Sequence, residues 1–428
     1  MGKKILMICY YYPPLTDVGC KRSVAFSKYW KKAGWEPYVL SVKNPDKAYC
    51  SLGEESPPQG IDVTYTHSLF NVYKFFGQLN GLLSRILKII GIKLERNYFH
   101  DLLCIPDVFI GWIPMTIIRG HQMIKKYDID VIYVSCSPFS AGIAGWCLKK
   151  ITKLPLVIDY RDPFGLDISR YNNPFTPVGV RKPINRWIDG KILKAADLFT
   201  VTSEELKELY IEQFPCVKEK IHTIYNGFDN QFLEGIEEVE KFNKFTIIYS
   251  GNFYYGIEYE YFFEGLGILK KEQKINKENF QFLFYGGNLG SIQETIQKHC
   301  VEDLVDVRER IDFQDILQEI KRSHLQLLRI AQPMISTKLF EGIALNIPFL
   351  ATIPNGEVVE LIKRYNSRSF IVTEKDSKLI AQSITDAMLL FLKREDKSYE
   401  SDDSNVRIDD FSREKIALSF LDLMSDTF

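Results

Sequence analysis

Short continuous apolar runs alternate with helical patterns along most of this chain. Runs rich in β-branched and aromatic residues stand at Ile5–Cys9, Glu36–Val42, Asp62–Thr66, Val131–Ser135, Leu156–Asp159 and Leu198–Thr202, and each predicts a strand. Stretches such as Lys21–Ala33, Ile117–Lys126 and Phe139–Ile151 lie between them and carry the helical period. A second series begins at Phe245–Ser250 and continues with Phe280–Tyr285, Leu325–Arg329, Phe349–Thr352 and Phe370–Val372. Strands without a polar face, separated by helices, predict parallel sheets covered on both sides. The fold class expected is α/β: two doubly wound, Rossmann-like domains facing across a cleft at the carboxyl ends of their strands. The charged stretch Phe232–Asn243 marks the hinge, so residues 1–232 and 233–405 form the domains. Residues 406–428 are left as a carboxyl-terminal piece, with an amphipathic helix over Phe411–Met424 that should pack near the junction.

One segment breaks the alternation. From Phe70 to Phe109, Leu79, Leu82, Leu83, Ile86, Leu87 and Ile90 follow helical spacing, with Arg85, Lys88 and Lys93 among them. A basic amphipathic helix of this kind can lie in a membrane interface or pack on its own domain, and the pattern fits both.

Composition sharpens the picture in two places. The formal net charge of −1 over 428 residues hides an asymmetry. Residues 1–200 hold 27 Lys and Arg against 16 Asp and Glu, and the remainder holds 27 against 39. A basic half suits anionic headgroups or diphosphates, and the acidic half points to a different partner. The eight cysteines form no C-x-x-C pair and several sit in apolar runs, which predicts free buried thiols. The first strand starts almost at once and no apolar run is long enough to span a bilayer, so a cytoplasmic protein without a signal peptide is expected.

Candidate chemistry gathers at strand ends. Ser336 and Thr337 are N-capping residues, followed in the first helical turn by Lys338 and Glu341. A helix N-terminus with an added ammonium suits phosphate, and an ionised Glu accepts two sugar hydroxyls, so this stretch predicts a site for ribose joined to phosphate. Gly251 and Asn252 end the first strand of the second series in a turn and form a second phosphate cradle. After the first strand, Pro13 and Pro14 lead to Gly19, Lys21 and Arg22 at a helix start. No G-x-G-x-x-G occurs there, which argues against a dinucleotide enzyme. Asp159, Arg161 and Asp162 stand at the carboxyl end of a strand, before Pro163. Asp162 and Arg161 are the catalytic candidates, with Gly19, Lys21, Arg22 and Asp159 on the acceptor side. Asp128-Ile129-Asp130 precedes a strand and reads as a turn rather than a metal site, and the six histidines have no ligand spacing.

Taken in order, these motifs resemble the GT-B fold glycosyltransferases, specifically glycosyltransferase family 4. The resemblance rests on the Tyr-Pro-Pro…Gly opening, Pro106-Asp107…Gly111-Trp112, Ser137-Pro138, Asp159…Asp162, Ser203-Glu204, Asn226-Gly227-Phe228-Asp229, Ser250-Gly251-Asn252 and Ser336 to Glu341. It implies a nucleoside-diphosphate sugar held by the carboxyl domain, with Glu341 as the second Glu of a Glu-x7-Glu signature and the ribose ligand. It also implies retention of the donor's anomeric configuration, no metal or other cofactor, and no nucleic-acid partner. The implied acceptor is a lipid-linked or other saccharide in bacterial surface polysaccharide assembly, met at the anionic inner face of the membrane. The chain departs from the pattern at the first Glu, which falls on Pro333, and at the usual Arg and Lys after Gly251, where Asn252 and Ile257 stand. Lys338 and Arg329 are the substitutes expected for that charge. A catalytically silent binding protein of the same fold and a sugar-nucleotide epimerase are the alternatives.

Overall fold

The computed structural model describes residues 2–45, 50–53, 55–70, 104–171, 181–233, 239–251, 259–286, 292–330, 333–393 and 408–428, with isolated positions between them. Two compact units result, one of Met1–Ile168, Thr176–Tyr225 and Arg413–Phe428, the other of Ser169–Phe175 and Asn226–Ser412.

Unit 1 is built on a seven-stranded sheet: β1 (Lys4–Cys9), β2 (Glu36–Val42), β3 (Asp62–Thr66), β4 (Val131–Cys136), β5 (Leu156–Tyr160), β6 (Leu198–Val201) and β7 (Ile221–Thr223). The spatial order is β3-β2-β1-β4-β5-β6-β7 and every pairing is parallel. Its helices are α1 (Val18–Lys32), α2 (Ile113–Tyr127), α3 (Ser140–Thr152), α4 (Arg181–Ala195) and α5 (Glu204–Gln213). Unit 2 carries six parallel strands, β8 (Phe245–Ser250), β9 (Phe280–Tyr285), β10 (Val305–Arg308), β11 (Leu325–Leu328), β12 (Phe349–Thr352) and β13 (Phe370–Val372), in the order β10-β9-β8-β11-β12-β13. Around them stand α6 (Glu260–Lys271), α7 (Gln293–Lys298), α8 (Phe313–Arg322), α9 (Thr337–Ala344), α10 (Glu357–Tyr365) and α11 (Ser377–Lys393). The strand order reverses between β1 and β4 in unit 1 and between β8 and β11 in unit 2, the switch points where doubly wound sheets accept ligands.

The last helix, α12 (Arg413–Thr427), returns to unit 1 and packs along α1. Trp30 of α1 donates its indole N–H to Ala417 O at 2.8 Å and meets Phe420 edge to face, with ring centroids 5.6 Å apart. Unit 2 closes over its own aromatic core, in which Phe262 and Phe263 of α6 pack on Phe282 of β9.

Most of Phe70–Phe109 lies outside the described residues, Lys93 included. Arg85, Ile86, Lys88 and Ile89 are helical and exposed. Among the described residues no helix is long and apolar enough to cross a membrane. All eight cysteines are free, five of them buried.

Candidate functional site

In unit 2 the residues singled out from sequence converge where β8 and β11 end. After β8 the chain turns at Gly251 with φ of 117°, a conformation that favours glycine, and the Gly251 N–H donates to Tyr285 O at 2.8 Å. A Cβ at Gly251 would lie 2.8 Å from Lys338 Nζ, so this turn and the start of α9 meet directly. Ser336 caps α9 from an extended conformation, its hydroxyl accepting from Lys338 N at 3.3 Å. Leu339, Phe340 and Ile343 are buried and anchor the opposite side of the helix, as their spacing predicts.

The two cations expected to hold phosphate are gathered by a pair of tyrosines. Lys338 Nζ stands 4.4 Å from the Tyr249 ring centroid and the Arg329 guanidinium 5.1 Å from that of Tyr259. The two phenol oxygens are 3.3 Å apart. Cation–π attraction thus places an ammonium and a guanidinium beside the first turn of α9, whose N-terminus adds partial positive charge. Thr337 and Lys338 are half-buried there. Glu341 follows one turn on, half-buried, and no described residue engages its carboxylate. Asn252, expected beside Gly251, lies outside the described residues.

The acceptor-side expectations divide. Asp159 is fully buried and Arg22 nearly so, which corrects their expected place on a ligand-facing wall. Arg22 Nε and Nη2 each donate to the Asp159 carboxylate at 2.8 Å, and Tyr133 (2.7 Å) and Thr200 (2.8 Å) donate to it as well. Arg22 also donates to Ile224 O and Tyr225 O. Burial alone would raise the Asp159 pKa, but the Arg22 charge and these hydrogen bonds outweigh it and hold the carboxyl below the ordinary range. The pair ties α1 to three strands and leaves neither residue a face for a substrate.

Arg161, just past β5, is differently placed. Its Nη2 donates to Ser137 O at 2.8 Å, its guanidinium lies 5.8 Å from the Tyr11 ring centroid, and a Cβ on Gly19 would stand 2.6 Å from Nη1. Glycine at the start of α1 makes room for a guanidinium from the loop after β5. Lys21 is half-buried in the same first turn of α1. Asp162 is exposed, and no described residue pairs with its carboxylate.

Other polar motifs have structural duties. Asp107 is half-buried and accepts from Ser140 N (2.9 Å), Ser140 Oγ (2.6 Å) and Phe109 N (2.9 Å), securing the start of α3. Asp128 ends α2 in the left-handed region, and Asp130 accepts from Lys4 N at 2.8 Å, so the D-x-D serves a turn and a strand start. Sequence reasoning missed a cavity of about 290 Å³ at the ends of β1 to β3, lined by Pro14, Leu15, Val42, Lys43, Leu52 and Tyr65 among others. Its lining comes from four separate stretches of chain, each too short to carry a signal of its own.

Two Rossmann-like units with parallel sheets of seven and six strands, helices on both faces, define the GT-B class, and the protein is a glycosyltransferase of that class. Residues 23–232 match the model of Glycosyltransferase Family 4. Sucrose-phosphate synthase from Thermosynechococcus elongatus is 16% identical over 99% of this chain and 98% of its own, with a TM-score of 0.64. Anabaena HepE, solved in complex with UDP and glucose, is 15% identical over 99% and 100%, with a TM-score of 0.65. The N-terminal domain of Candida albicans trehalose-6-phosphate phosphatase is 12% identical over 100% and 97%, with a TM-score of 0.69. At such identities the likeness is one of fold. No curated protein sequence matches the chain.

Proposed function

We propose that the protein moves a sugar from a nucleoside-diphosphate sugar, bound by unit 2, to a lipid-linked or saccharide acceptor in bacterial surface polysaccharide assembly. Transfer retains the donor's anomeric configuration and needs no metal. The observation that carries this reading is the convergence of Gly251, Arg329, Lys338 and the capped start of α9 on one point. HepE, solved with UDP and glucose, supports the choice of donor. The diphosphate lies against Lys338, Arg329 and the α9 N–H groups, which stabilise charge as it develops on the leaving group. Glu341, whose carboxylate no described residue engages, accepts the ribose hydroxyls. In unit 1, Arg161 takes an acceptor or donor phosphate and exposed Asp162 acts on the acceptor, while the apolar cavity at β1–β3 suits an acceptor with a lipid portion.

Calorimetry with uridine diphosphate, uridine and the other nucleoside diphosphates tests the donor site. Glu341→Ala should weaken binding by roughly 1.5–3 kcal/mol, the worth of hydrogen bonds to a charged group. Lys338→Ala should harm diphosphate binding far more than nucleoside binding, and equal losses would remove it from the phosphate. Asp162→Asn is nearly isosteric and should keep the fold while transfer falls; parental turnover would take Asp162 out of the mechanism. The silent-binder reading draws on Pro333, which stands where the family has its first Glu. Slow release of nucleoside diphosphate from one of a panel of sugar nucleotides excludes it.

A further inference from the structure

One face of unit 1 is strongly basic. Helices α2, α3 and α4 pack side by side, α2 on α3 and α3 on α4. They carry Arg119, Lys125 and Lys126, then Lys149 and Lys150, then five more Lys and Arg in α4, against a single acid, Asp189, which is fully buried. This layer accounts for most of the positive excess of the first 200 residues. Lys149 and Lys182 are paired with Asp197 and Asp167. Among the described residues, Lys125, Lys150, Lys191 and Lys194 have no acidic partner.

The same face exposes large apolar side chains. Ile184, Trp187, Lys191 and Lys194 follow one another on a single side of α4, with Ile184 38% and Trp187 61% exposed. Ile151 at the end of α3 is 55% exposed and Ile118 of α2 is 51% exposed. Each tryptophan of the layer has a lysine over its ring, Lys191 at 5.7 Å from Trp187 and Lys150 at 4.3 Å from Trp146. Indoles beside lysines suit the boundary between headgroups and acyl chains, where the ring is half in each phase and the ammonium meets phosphate. Exposed isoleucines gain nothing from a nucleic-acid backbone but lose water contact in an acyl boundary, so the combination favours lipid over RNA.

We propose that the α2–α3–α4 face is the surface on which this protein lies against an anionic lipid bilayer, with Trp187 and Ile184 entering the interface and Lys150, Lys191 and Lys194 meeting lipid phosphates. This deepens the proposed function by naming the surface that meets a lipid-linked acceptor, and it stands apart from donor binding in unit 2.

The test is flotation of the full-length, nucleotide-free protein with vesicles of equal phosphatidylglycerol and phosphatidylcholine, and with phosphatidylcholine alone. Binding to the anionic vesicles, lost at 1 M salt where the Debye length falls to about 3 Å, is the expected result. Replacing Lys150, Lys191 and Lys194 together by Gln should lower partitioning roughly a hundredfold, at about one lysine's worth of headgroup attraction per site. Trp187→Phe should remove most of the blue shift of indole fluorescence that the anionic vesicles induce in the parent. These residues are exposed, so the thermal unfolding midpoints of both variants should match the parent. The proposal is overturned if the parent stays unbound at low salt, or binds RNA and not vesicles. It is also overturned if both variants float like the parent while Arg85, Lys88 and Lys93 replaced by Gln abolish binding. Because no nucleotide is present, failure here leaves the donor site standing, and failure of the donor site leaves this result intact.

Discussion

Two buried carboxyls of unit 1 behave oppositely, and the difference lies in their partners. Asp159 is met by the Arg22 guanidinium and the Tyr133 and Thr200 hydroxyls, and its pKa is held down although burial alone would raise it. A depressed carboxyl pKa contributes stability that is complete above the unfolded value near 3.9 and is lost as pH falls through the folded value. Asp159→Ala leaves Arg22 buried and uncompensated, and should cost about 3–5 kcal/mol in urea unfolding at pH 7. The gap to the parent should narrow below about pH 4. A loss under about 1 kcal/mol would place the pair in solvent. Among the described residues Asp189 accepts only from Tyr160, at 2.9 Å, and burial drives its pKa well up. Its folded pKa thus lies above that of the unfolded chain, which ionises above about pH 4. Its contribution is therefore complete below that value and is lost as pH rises through the folded pKa. Asp189→Asn never ionises, so its stability relative to the parent should rise with pH between the unfolded value near 4 and the raised folded value, by at most about 1.4 kcal/mol per pH unit. Urea midpoints at pH 5, 6 and 7 read this directly, and a constant gap would show that Asp189 is already charged in the fold.

The central strands were legible from sequence because a strand buried on both faces writes a continuous apolar run, as β1, β2, β8 and β9 do. The edge strands β7 and β10 were not. Ile-His-Thr and Val-Asp-Val-Arg are short and half-exposed, so neither burial nor length marks them. The α9 start was legible because capping is local: Ser336, Thr337 and Lys338 are adjacent in the chain. The role of Asp159 was not, since Arg22 is far away in sequence and only the β1–β4–β5 order brings them together. The helix over Phe411–Met424 was expected from its periodicity, and the structure gives its address, since Trp30 and Phe26 of α1 both contact Phe420. Phe420 is fully buried, so Phe420→Ala should cost about 3–5 kcal/mol from lost burial and the cavity left behind. A loss below about 1 kcal/mol in equilibrium unfolding would mean that α12 is detached in solution.

At the scale of the molecule, the chain enters unit 1, passes into unit 2, and returns with α12, so unit 1 needs both ends of the chain while residues 226–412 form most of unit 2. Each unit has its own sheet and its own aromatic core, with separate clusters around Trp30 and around Phe262. Separate cores predict separate melting events, and the two perturbations argued above should act on different ones. A ligand that binds only the folded donor site stabilises that unit by about 2.7 kcal/mol when present at a hundred times its dissociation constant. In differential scanning calorimetry, saturating uridine diphosphate should raise the unit 2 transition and leave the unit 1 transition in place. Phe420→Ala should lower the unit 1 transition and leave nucleotide affinity at the parental value. Glu341→Ala should shrink the nucleotide-induced shift without moving either transition in the absence of ligand, because no described residue engages that carboxylate. If nucleotide and Phe420→Ala move the same transition, the diphosphate is held by unit 1, around Arg161 and Gly19, and the assignment of Lys338 and Arg329 to it fails.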